Sequence, residues 1–255
     1  MLPFTHINVH WRRAALGDSS LWTTVYLKQT TAQLLDMVLA HSGNQLFTVY
    51  VDCHDFSRLA KVWKLVGRIE EFHYSAGLRE LTPFISSLGP APNLKVLHLR
   101  PEFNIELEEL MPSVVLPTIF SGCLPSLRDL VLTKTLIWPA GLFRGLTSFE
   151  CGAIDYYPGT SPYLVMDALR GSSSIELLRL VGCVVPPPGF DPPAIALPSL
   201  RNCTLVGDGT TSFIRFITIP ATALVLLAKS YPEAPGAFFP DFRDHSVEPE
   251  LQVLG

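Results

Sequence analysis

Few residues in this sequence could hold a metal ion, and they are poorly grouped. His6 and His10 stand four residues apart, a spacing that places two imidazoles on one face of a helix. Cys53-His54 lies further along the chain, and no third or fourth ligand stands near the first pair. Because a structural metal site needs about four ligands, the sequence predicts no metal site and no cofactor.

Motifs for nucleophilic catalysis or phosphate binding are absent from the sequence, including G-x-S-x-G, the Walker loop, G-x-G-x-x-G and H-E-x-x-H. Gly207-Asp208-Gly209 leads to no phosphate-loop pattern, so a turn is expected there. Cys151 and Cys203 occupy apolar positions of a repeated pattern and are predicted to be core residues, while Cys183 is predicted to cap a turn after a strand. The sequence therefore predicts no catalytic residue and no enzyme.

That repeated pattern is L-x-x-L-x-L, and its clearest copy is Leu94-Lys95-Val96-Leu97-His98-Leu99. Seven copies begin at Leu46, Ile69, Leu94, Leu127, Leu146, Ile175 and Leu200. Their spacing has a mean of about 26 residues, which lies within the period of leucine-rich repeats. A weaker eighth copy is predicted at Ala221, Leu224 and Leu226.

The remaining candidate function is the binding of a partner by the polar side chains that lie between these apolar positions. The fifth residue of each copy is predicted to face outward and to bind a partner; these residues are Tyr50, His73, His98, Val131, Glu150, Arg179 and Thr204. Flanking outward residues are Glu70, Glu71, Lys95, Arg128, Asp129, Glu176 and Arg201. Charges of both signs without a basic track favour a protein partner over nucleic acid. The alternative for any single residue is a solvated strand face without a partner.

The period of two inside each copy predicts a short strand whose fourth and sixth residues face inward. One such strand cannot bury its apolar face alone, so stacked copies are expected to share a core. Helices are predicted at Thr31–His41, Phe56–Val66 and Pro162–Arg170, and an irregular crossover at 184–198 because of its six prolines. The predicted fold is α/β: a leucine-rich-repeat solenoid of about 7–8 repeats. Its parallel strands line the concave face, and its helices and irregular crossovers line the convex face.

Composition limits the classes of partner. Of the 255 residues, 48% are hydrophobic and 16% are charged, and the net charge of −4 gives no electrostatic case for nucleic acid or an anionic membrane. The best membrane candidate, 213–228, is interrupted by Arg215 and Pro220 and is shorter than the roughly 20 apolar residues that a bilayer needs. Five cysteines without close pairing and an N-terminus without an apolar signal core favour a cytoplasmic or nuclear protein.

The first 28 residues do not fit the repeat and are predicted to contain a helix over His6–Leu16. The residues that follow a more specific pattern are His10-Trp11-Arg12-Arg13, Ala15-Leu16, Ser20-Leu21-Trp22 and Val25-Tyr26-Leu27. They resemble the C-terminal half of the F-box-like module that precedes leucine-rich repeats in many fungal proteins. The resemblance implies that Trp11, Arg12, Leu21 and Trp22 contact a Skp1-type adaptor. By its spacing, Leu2-Pro3 is not the Leu-Pro motif that opens an F-box, so the first half of that module is missing here.

The resemblance implies a substrate receptor of an SCF-type ubiquitin ligase, with the repeats holding an unknown target protein. The alternatives are a leucine-rich-repeat scaffold with a helical N-terminal cap and no ligase role, or a truncated gene product. An enzyme with a site on the concave face has the least support. The predicted organisation is a partial F-box-like segment or cap at 1–28, a repeat domain at 29–230, and a C-terminal cap or tail at 231–255.

Overall fold

A nine-stranded parallel sheet dominates the fold. The computed structural model describes residues 9–52, 56–75, 89–100, 114–116, 118–133, 136–152, 161–182 and 186–228. In chain order the strands are β1 (Thr24–Tyr26), β2 (Phe47–Val51), β3 (Ile69–Tyr74), β4 (Val96–Leu99), β5 (Val114–Val115), β6 (Asp129–Thr133), β7 (Leu136–Ile137), β8 (Ser148–Gly152), β9 (Leu177–Val181), β10 (Ile195–Ala196), β11 (Asn202–Val206), β12 (Ile217–Thr218) and β13 (Leu224–Ala228). The large sheet has the order β1-β2-β3-β4-β6-β8-β9-β11-β13, so its spatial order is its chain order. The protein has a mixed α/β fold.

All seven predicted strand segments are strands of this sheet, and their fourth and sixth residues are buried. These inward residues are Val49, Val51, Phe72, Tyr74, Leu97, Leu99, Leu130, Leu132, Phe149, Cys151, Leu178, Leu180, Cys203 and Leu205, each no more than 3% exposed. They belong to one hydrophobic cluster that also takes in side chains from the crossovers. The alternation in the sequence therefore predicted the buried face correctly, because side chains of a strand point to opposite faces in turn.

Described α-helices are few: α1 (Val9–Gly17), α2 (Ala32–His41), α3 (Phe56–Trp63), α4 (Pro162–Arg170) and the short α5 (Asp208–Thr211). The helix predicted at Thr31–His41 is confirmed: the Thr31 side chain accepts a hydrogen bond from the Leu34 N–H at 3.2 Å, as an N-cap does. The helix predicted at Pro162–Arg170 is also confirmed, and its proline lies in the first turn where no N–H is required.

Two predicted helices differ at their ends. The helix predicted over Phe56–Val66 ends at Trp63 and is followed by a separate 3-10 turn at Val66–Arg68. The helix predicted from His6 is described from Val9 to Gly17, and His6 lies outside the described residues. Helix ends fray and commonly tighten into 3-10 turns, so the last turn is the least predictable part of a helix.

Two short parallel ladders lie on the crossovers and were not predicted. β5 pairs with β7, and β10 pairs with β12. Each ladder joins two-residue segments, and β10 lies within the proline-rich crossover that was predicted to be irregular. Two residues are too short for any periodicity, so the sequence carries no signal for these pairs.

The first and last strands of the sheet correct the predicted repeat. Trp22, Val25 and Leu27 are buried at the spacing of the repeat, so residues predicted to belong to the N-terminal cap contribute a further copy through β1. At the other end, β13 pairs Val225 with Cys203 and Leu227 with Leu205, one residue away from the predicted register. The run Leu224-Val225-Leu226-Leu227-Ala228 is apolar throughout, so it has no alternation that could fix a register.

The β13 end of the sheet is open in the described part of the chain, where no strand pairs with the outer edge of β13. Leu224, Val225 and Leu227 are exposed as a result. The predicted C-terminal segment, 231–255, lies outside the described residues. None of the described helices has the length and apolar character needed to cross a bilayer.

Candidate protein-binding face

The strand registers align the predicted outward residues in one row across the sheet, here called the central row. Its members, in order from β1 to β13, are Tyr26, Tyr50, His73, His98, Val131, Glu150, Arg179, Thr204 and Leu226. All seven residues predicted for this row are therefore neighbours in space. The structure adds one residue at each end, Tyr26 and Leu226.

The first part of the central row is a stack of aromatic rings. Tyr26 lies on Tyr50 with ring centroids 4.6 Å apart and planes 7° from parallel, and Tyr50 lies on His73 at 4.5 Å and 10°. Tyr26 is 44% exposed at the start of the sheet. Rings on neighbouring parallel strands stand about 4.8 Å apart, which is the spacing of a stacked pair, so register alone brings them together.

A pair of histidines follows the tyrosines. The Nδ1 atoms of His73 and His98 are 3.0 Å apart, with the ring planes nearly perpendicular at 87°. His73 Nε2 lies 3.4 Å from Glu71 Oε2, and His98 Nε2 lies 3.6 Å from Asp129 Oδ1. Four titratable side chains from three adjacent strands therefore meet at the centre of the face. The sequence placed both histidines in the row without indicating this contact.

Burial and neighbouring charges decide the protonation of His73. Burial lowers the pKa of His73 below its ordinary value, and His98 and Arg100 lower it further. The Glu71 carboxylate raises the pKa of His73 through its hydrogen bond and its charge, but it does not reverse the shift. His73 therefore favours its neutral form in the folded chain.

We expect the free energy of unfolding to decrease as the pH falls from about 7.5 to about 5.5, in part through His73. The unfolded chain takes up this proton near the ordinary histidine pKa, whereas the folded chain takes it up only at lower pH. The contribution of His73 to stability is thus complete above the ordinary value and is lost as the pH falls below it. Urea unfolding of the wild type and of His73→Gln across this range measures the effect. An equal pH dependence in both chains would contradict it.

The second part of the central row is ionic. The Glu150 carboxylate lies between two arginines, with Oε1 at 4.0 Å from Arg100 Nη2 and Oε2 at 3.8 Å from Arg179 Nη1. Arg100 follows β4, whereas Arg179 lies on β9, so two distant parts of the chain share one carboxylate. Val131, between the aromatic and ionic parts, is only 4% exposed. It fills the floor of the row and offers little surface to a partner.

The flanking charged residues form pairs along the same face. Lys95 Nζ lies 2.7 Å from Glu70 Oε1, and Arg201 Nε lies 3.4 Å from Glu176 Oε2. Arg128 instead donates from Nη1 to the carbonyl oxygen of Leu127 at 2.7 Å. The predicted charges of both signs are thus present on this face, and the pairs named here largely compensate each other.

The four residues predicted to contact an adaptor lie on α1 and in the turn that follows it. Trp11 and Arg12 lie on α1, where Arg12 is exposed, and Leu21 is 39% exposed in the following 3-10 turn. Trp22 is buried, and its indole Nε1 donates a hydrogen bond to the Ala15 carbonyl oxygen at 2.6 Å. Trp22 therefore ties α1 to the first strand and offers no surface to a partner. Its burial follows from its place at an inward position of the first repeat copy.

The cysteines and the glycine considered as candidate functional residues have structural roles where the structure describes them. Cys151 and Cys203 are buried in the core, as predicted, and burial raises the pKa of the Cys203 thiol to about 12. Gly207 has a φ of 101° and precedes α5, so the turn predicted at Gly207-Asp208-Gly209 is instead the start of a one-turn helix. Within the described residues, no group of three histidine, cysteine or acidic side chains could hold a metal ion. His6, Cys53, His54 and Cys183 lie outside those residues.

Two residues of the face, Tyr26 and Arg100, were not predicted, although the sequence contains a signal for each. Tyr26 follows the inward Val25 and precedes the inward Leu27, as the fifth residue of a repeat copy does. Arg100 directly follows the inward Leu99, so alternation places it outward.

No protein-family model matches this chain, and the comparisons with curated proteins and with solved structures give no match either.

Proposed function

We propose that this chain is a leucine-rich-repeat module that binds a partner protein along the outward face of its sheet. The observation that carries the proposal is the continuous register of the central row across nine strands. With about 4.8 Å between neighbouring strands, the row is about 38 Å long. This length suits an extended polypeptide and far exceeds what a small metabolite needs.

Three features support a solenoid of leucine-rich repeats. The strands follow one another in space as they do in the chain, all neighbouring pairs of the large sheet are parallel, and the same positions of each strand are buried. In such a chain each repeat packs only on its neighbours, and one outward row of side chains runs along the whole array. In this proposal the strands line the concave side and the crossovers the convex side.

The two parts of the central row suit different parts of a partner. Tyrosine and arginine are enriched in protein interfaces because they offer large contact areas with few rotatable bonds or several donors. Tyr26 and Tyr50 would pack against apolar or aromatic side chains of the partner. Glu150 and Arg179 would exchange part of their internal ion pair for charged side chains of the partner. The proposed ligand is therefore a segment with an apolar end and a charged end.

Peptides selected from a random displayed library on the wild-type chain will test the face. Tyr26→Arg changes the first residue of the central row and Thr204→Arg the last but one, and neither side chain is buried in the core. Each is expected to weaken the selected peptides at least about tenfold, which corresponds to about 1.4 kcal/mol. The matched control, Gln33→Arg on the exposed side of α2, is expected to leave the dissociation constant unchanged. Peptides that respond to Gln33→Arg and not to the face variants would overturn the proposal.

We further propose that the module acts as a substrate receptor of an SCF-type ubiquitin ligase. The order of α1, the Ser-Leu-Trp turn at Ser19–Trp22 and the short strand β1 supports the resemblance to the F-box-like module. Arg12 and Leu21 are exposed and would contact the Skp1-type adaptor, whereas Trp22 would support them from inside. A cytoplasmic or nuclear location belongs to this proposal, since Cys123 and Cys203 are free thiols, which fit a reducing compartment.

Calorimetric titration of the chain with a purified Skp1-type adaptor distinguishes the receptor proposal from the alternative, an interaction scaffold. The receptor proposal expects binding that Leu21→Asp abolishes and Gln33→Arg leaves unchanged. A folded chain that does not bind the adaptor, but still binds library peptides through the central row, is an interaction scaffold without a ligase role.

A further inference from the structure

Glu71, His73, His98 and Asp129 form one continuous line of contacts across β3, β4 and β6, here called the relay. Its three contacts are Glu71 Oε2 to His73 Nε2 at 3.4 Å, His73 Nδ1 to His98 Nδ1 at 3.0 Å, and His98 Nε2 to Asp129 Oδ1 at 3.6 Å. Both imidazoles are largely enclosed, with 19% and 15% of their side chains exposed. The carboxylates at the two ends are more open, at 38% and 30%.

The contact between the two histidines is favourable only when one proton lies between the two Nδ1 atoms. Two ring nitrogens at 3.0 Å are at hydrogen-bond distance, and a hydrogen bond between them needs one proton. Without a proton, two lone pairs would face each other, and with two protons, two N–H groups would. The observed contact therefore requires that one of His73 and His98 donates from Nδ1 and that the other accepts.

The outer ring nitrogens decide which histidine donates. His73 Nε2 lies within hydrogen-bond reach of the Glu71 carboxylate, so it carries a proton and His73 Nδ1 is the acceptor. His98 is then the donor at Nδ1, and its Nε2 has no proton in the neutral ring. That nitrogen is buried and has no hydrogen-bond partner among the described residues, at 3.6 Å from Asp129 Oδ1.

The groups around the relay limit where a further proton can go. From β2, Tyr50 stacks on His73 and contributes no charge at neutral pH. Arg100, which follows β4, opposes a positive charge on His73, whereas Glu71 of β3 favours it. On β6, Asp129 faces His98 and Val131 fills the neighbouring position of the central row. A positive charge is thus compensated at each end of the relay, but two adjacent imidazolium rings are not compatible with the Nδ1 contact.

We infer that a proton taken up at His73 Nδ1 opens the central row. The new N–H group faces the Nδ1–H group of His98 across the 3.0 Å contact, so this contact is lost and the rings move apart. Because Tyr50 stacks on His73, this separation disturbs the aromatic part of the row. The consequence for partner binding, release at low pH, rests on the proposed function.

Ring ¹⁵N spectra of the full chain between about pH 8 and pH 5 test the relay without any partner. We expect the Nε2–H tautomer for His73 and the Nδ1–H tautomer for His98 at the upper end. As the pH falls, cross-relaxation between the Tyr50 and His73 rings is expected to be lost when His73 takes up its proton. Two Nε2–H tautomers, or stacking of Tyr50 on His73 that survives the protonation of His73, would overturn the inference.

Two isosteric variants sharpen the test. Glu71→Gln is expected to move the titration of His73 to lower pH, since the carboxylate raises the pKa of His73 in the wild type. Glu176→Gln removes a carboxylate of the same face that pairs with Arg201 outside the relay, and it should leave the titration of His73 unchanged. If Glu71→Gln leaves the titration of His73 unchanged, the relay is wrong.

A binding measurement separates this inference from the proposed function. Library peptides that bind the wild-type central row at about pH 7.5 should bind at least about tenfold more weakly at about pH 5, and His73→Gln should reduce that difference to less than about threefold. If the spectra confirm that protonation of His73 separates the rings but the affinity does not depend on pH, the regulatory part of the inference is wrong and the binding function stands. If no peptide binds, the proposed function is wrong, and the spectra alone decide the relay.

Discussion

Leu178→Ala is expected to lower the free energy of unfolding by about 3 kcal/mol, and Leu177→Ala by less than about 1 kcal/mol. The two leucines are adjacent on β9, but Leu178 is 1% exposed and Leu177 is 39% exposed. Truncating Leu178 removes apolar contacts from the shared core and leaves a cavity, because the neighbouring strands cannot close around it. Truncating Leu177 removes a side chain that is partly in contact with water.

Urea unfolding followed by far-ultraviolet circular dichroism measures both changes. The pair controls for strand propensity and for the position in the sheet, since both variants replace leucine by alanine on one strand. The slope of the free energy against urea concentration should stay constant, so that the midpoint alone reports stability. Equal losses for the two variants would mean that β9 does not have one buried and one open face.

Glu150→Lys is expected to lower the free energy of unfolding by about 2 kcal/mol, whereas Glu176→Lys should change it by less than about 0.5 kcal/mol. Both carboxylates pair with arginines on the same face. Glu150 lies between Arg100 and Arg179, and only 15% of its side chain is exposed. Glu176 and Arg201 are 48% and 75% exposed, so water and salt screen their attraction. A lysine at position 150 would place a third positive charge where solvent screens it poorly.

A charge swap shows whether this cost is electrostatic. The double variant Glu150→Arg with Arg179→Glu restores opposite charges on neighbouring strands, and it should recover part of the stability lost in Glu150→Arg alone. Added salt should remove a larger fraction of the effect at position 176 than of the effect at position 150. No recovery in the double variant would assign the cost to packing of the longer side chain, contrary to the expectation.

The sheet and its buried face could be predicted from the sequence because both depend on local pattern. Alternation within six residues, as in Leu94–Leu99, determines which side chains share a face whatever the partner strand is. Thr31 before an apolar helix and Pro162 in a first turn are local signals of the same kind. The predicted register was wrong by one residue in β13, where every residue is apolar and no alternation exists. The strand β1 was assigned to the N-terminal cap, although Trp22, Val25 and Leu27 follow the repeat pattern.

The tertiary structure alone decided which outward residues act together. Crossovers of unequal length separate the strands, so spacing in the sequence does not indicate that Glu150 lies between Arg100 and Arg179. A shift of one residue in the pairing of β3 with β4 would separate His73 from His98, whereas the observed register brings their Nδ1 atoms to 3.0 Å. The sequence by itself thus determined the strands and their inward side chains. The pairing of the strands determined the aromatic stack, the relay and the ion pairs, because contacts across a sheet depend on the registers of all its strands.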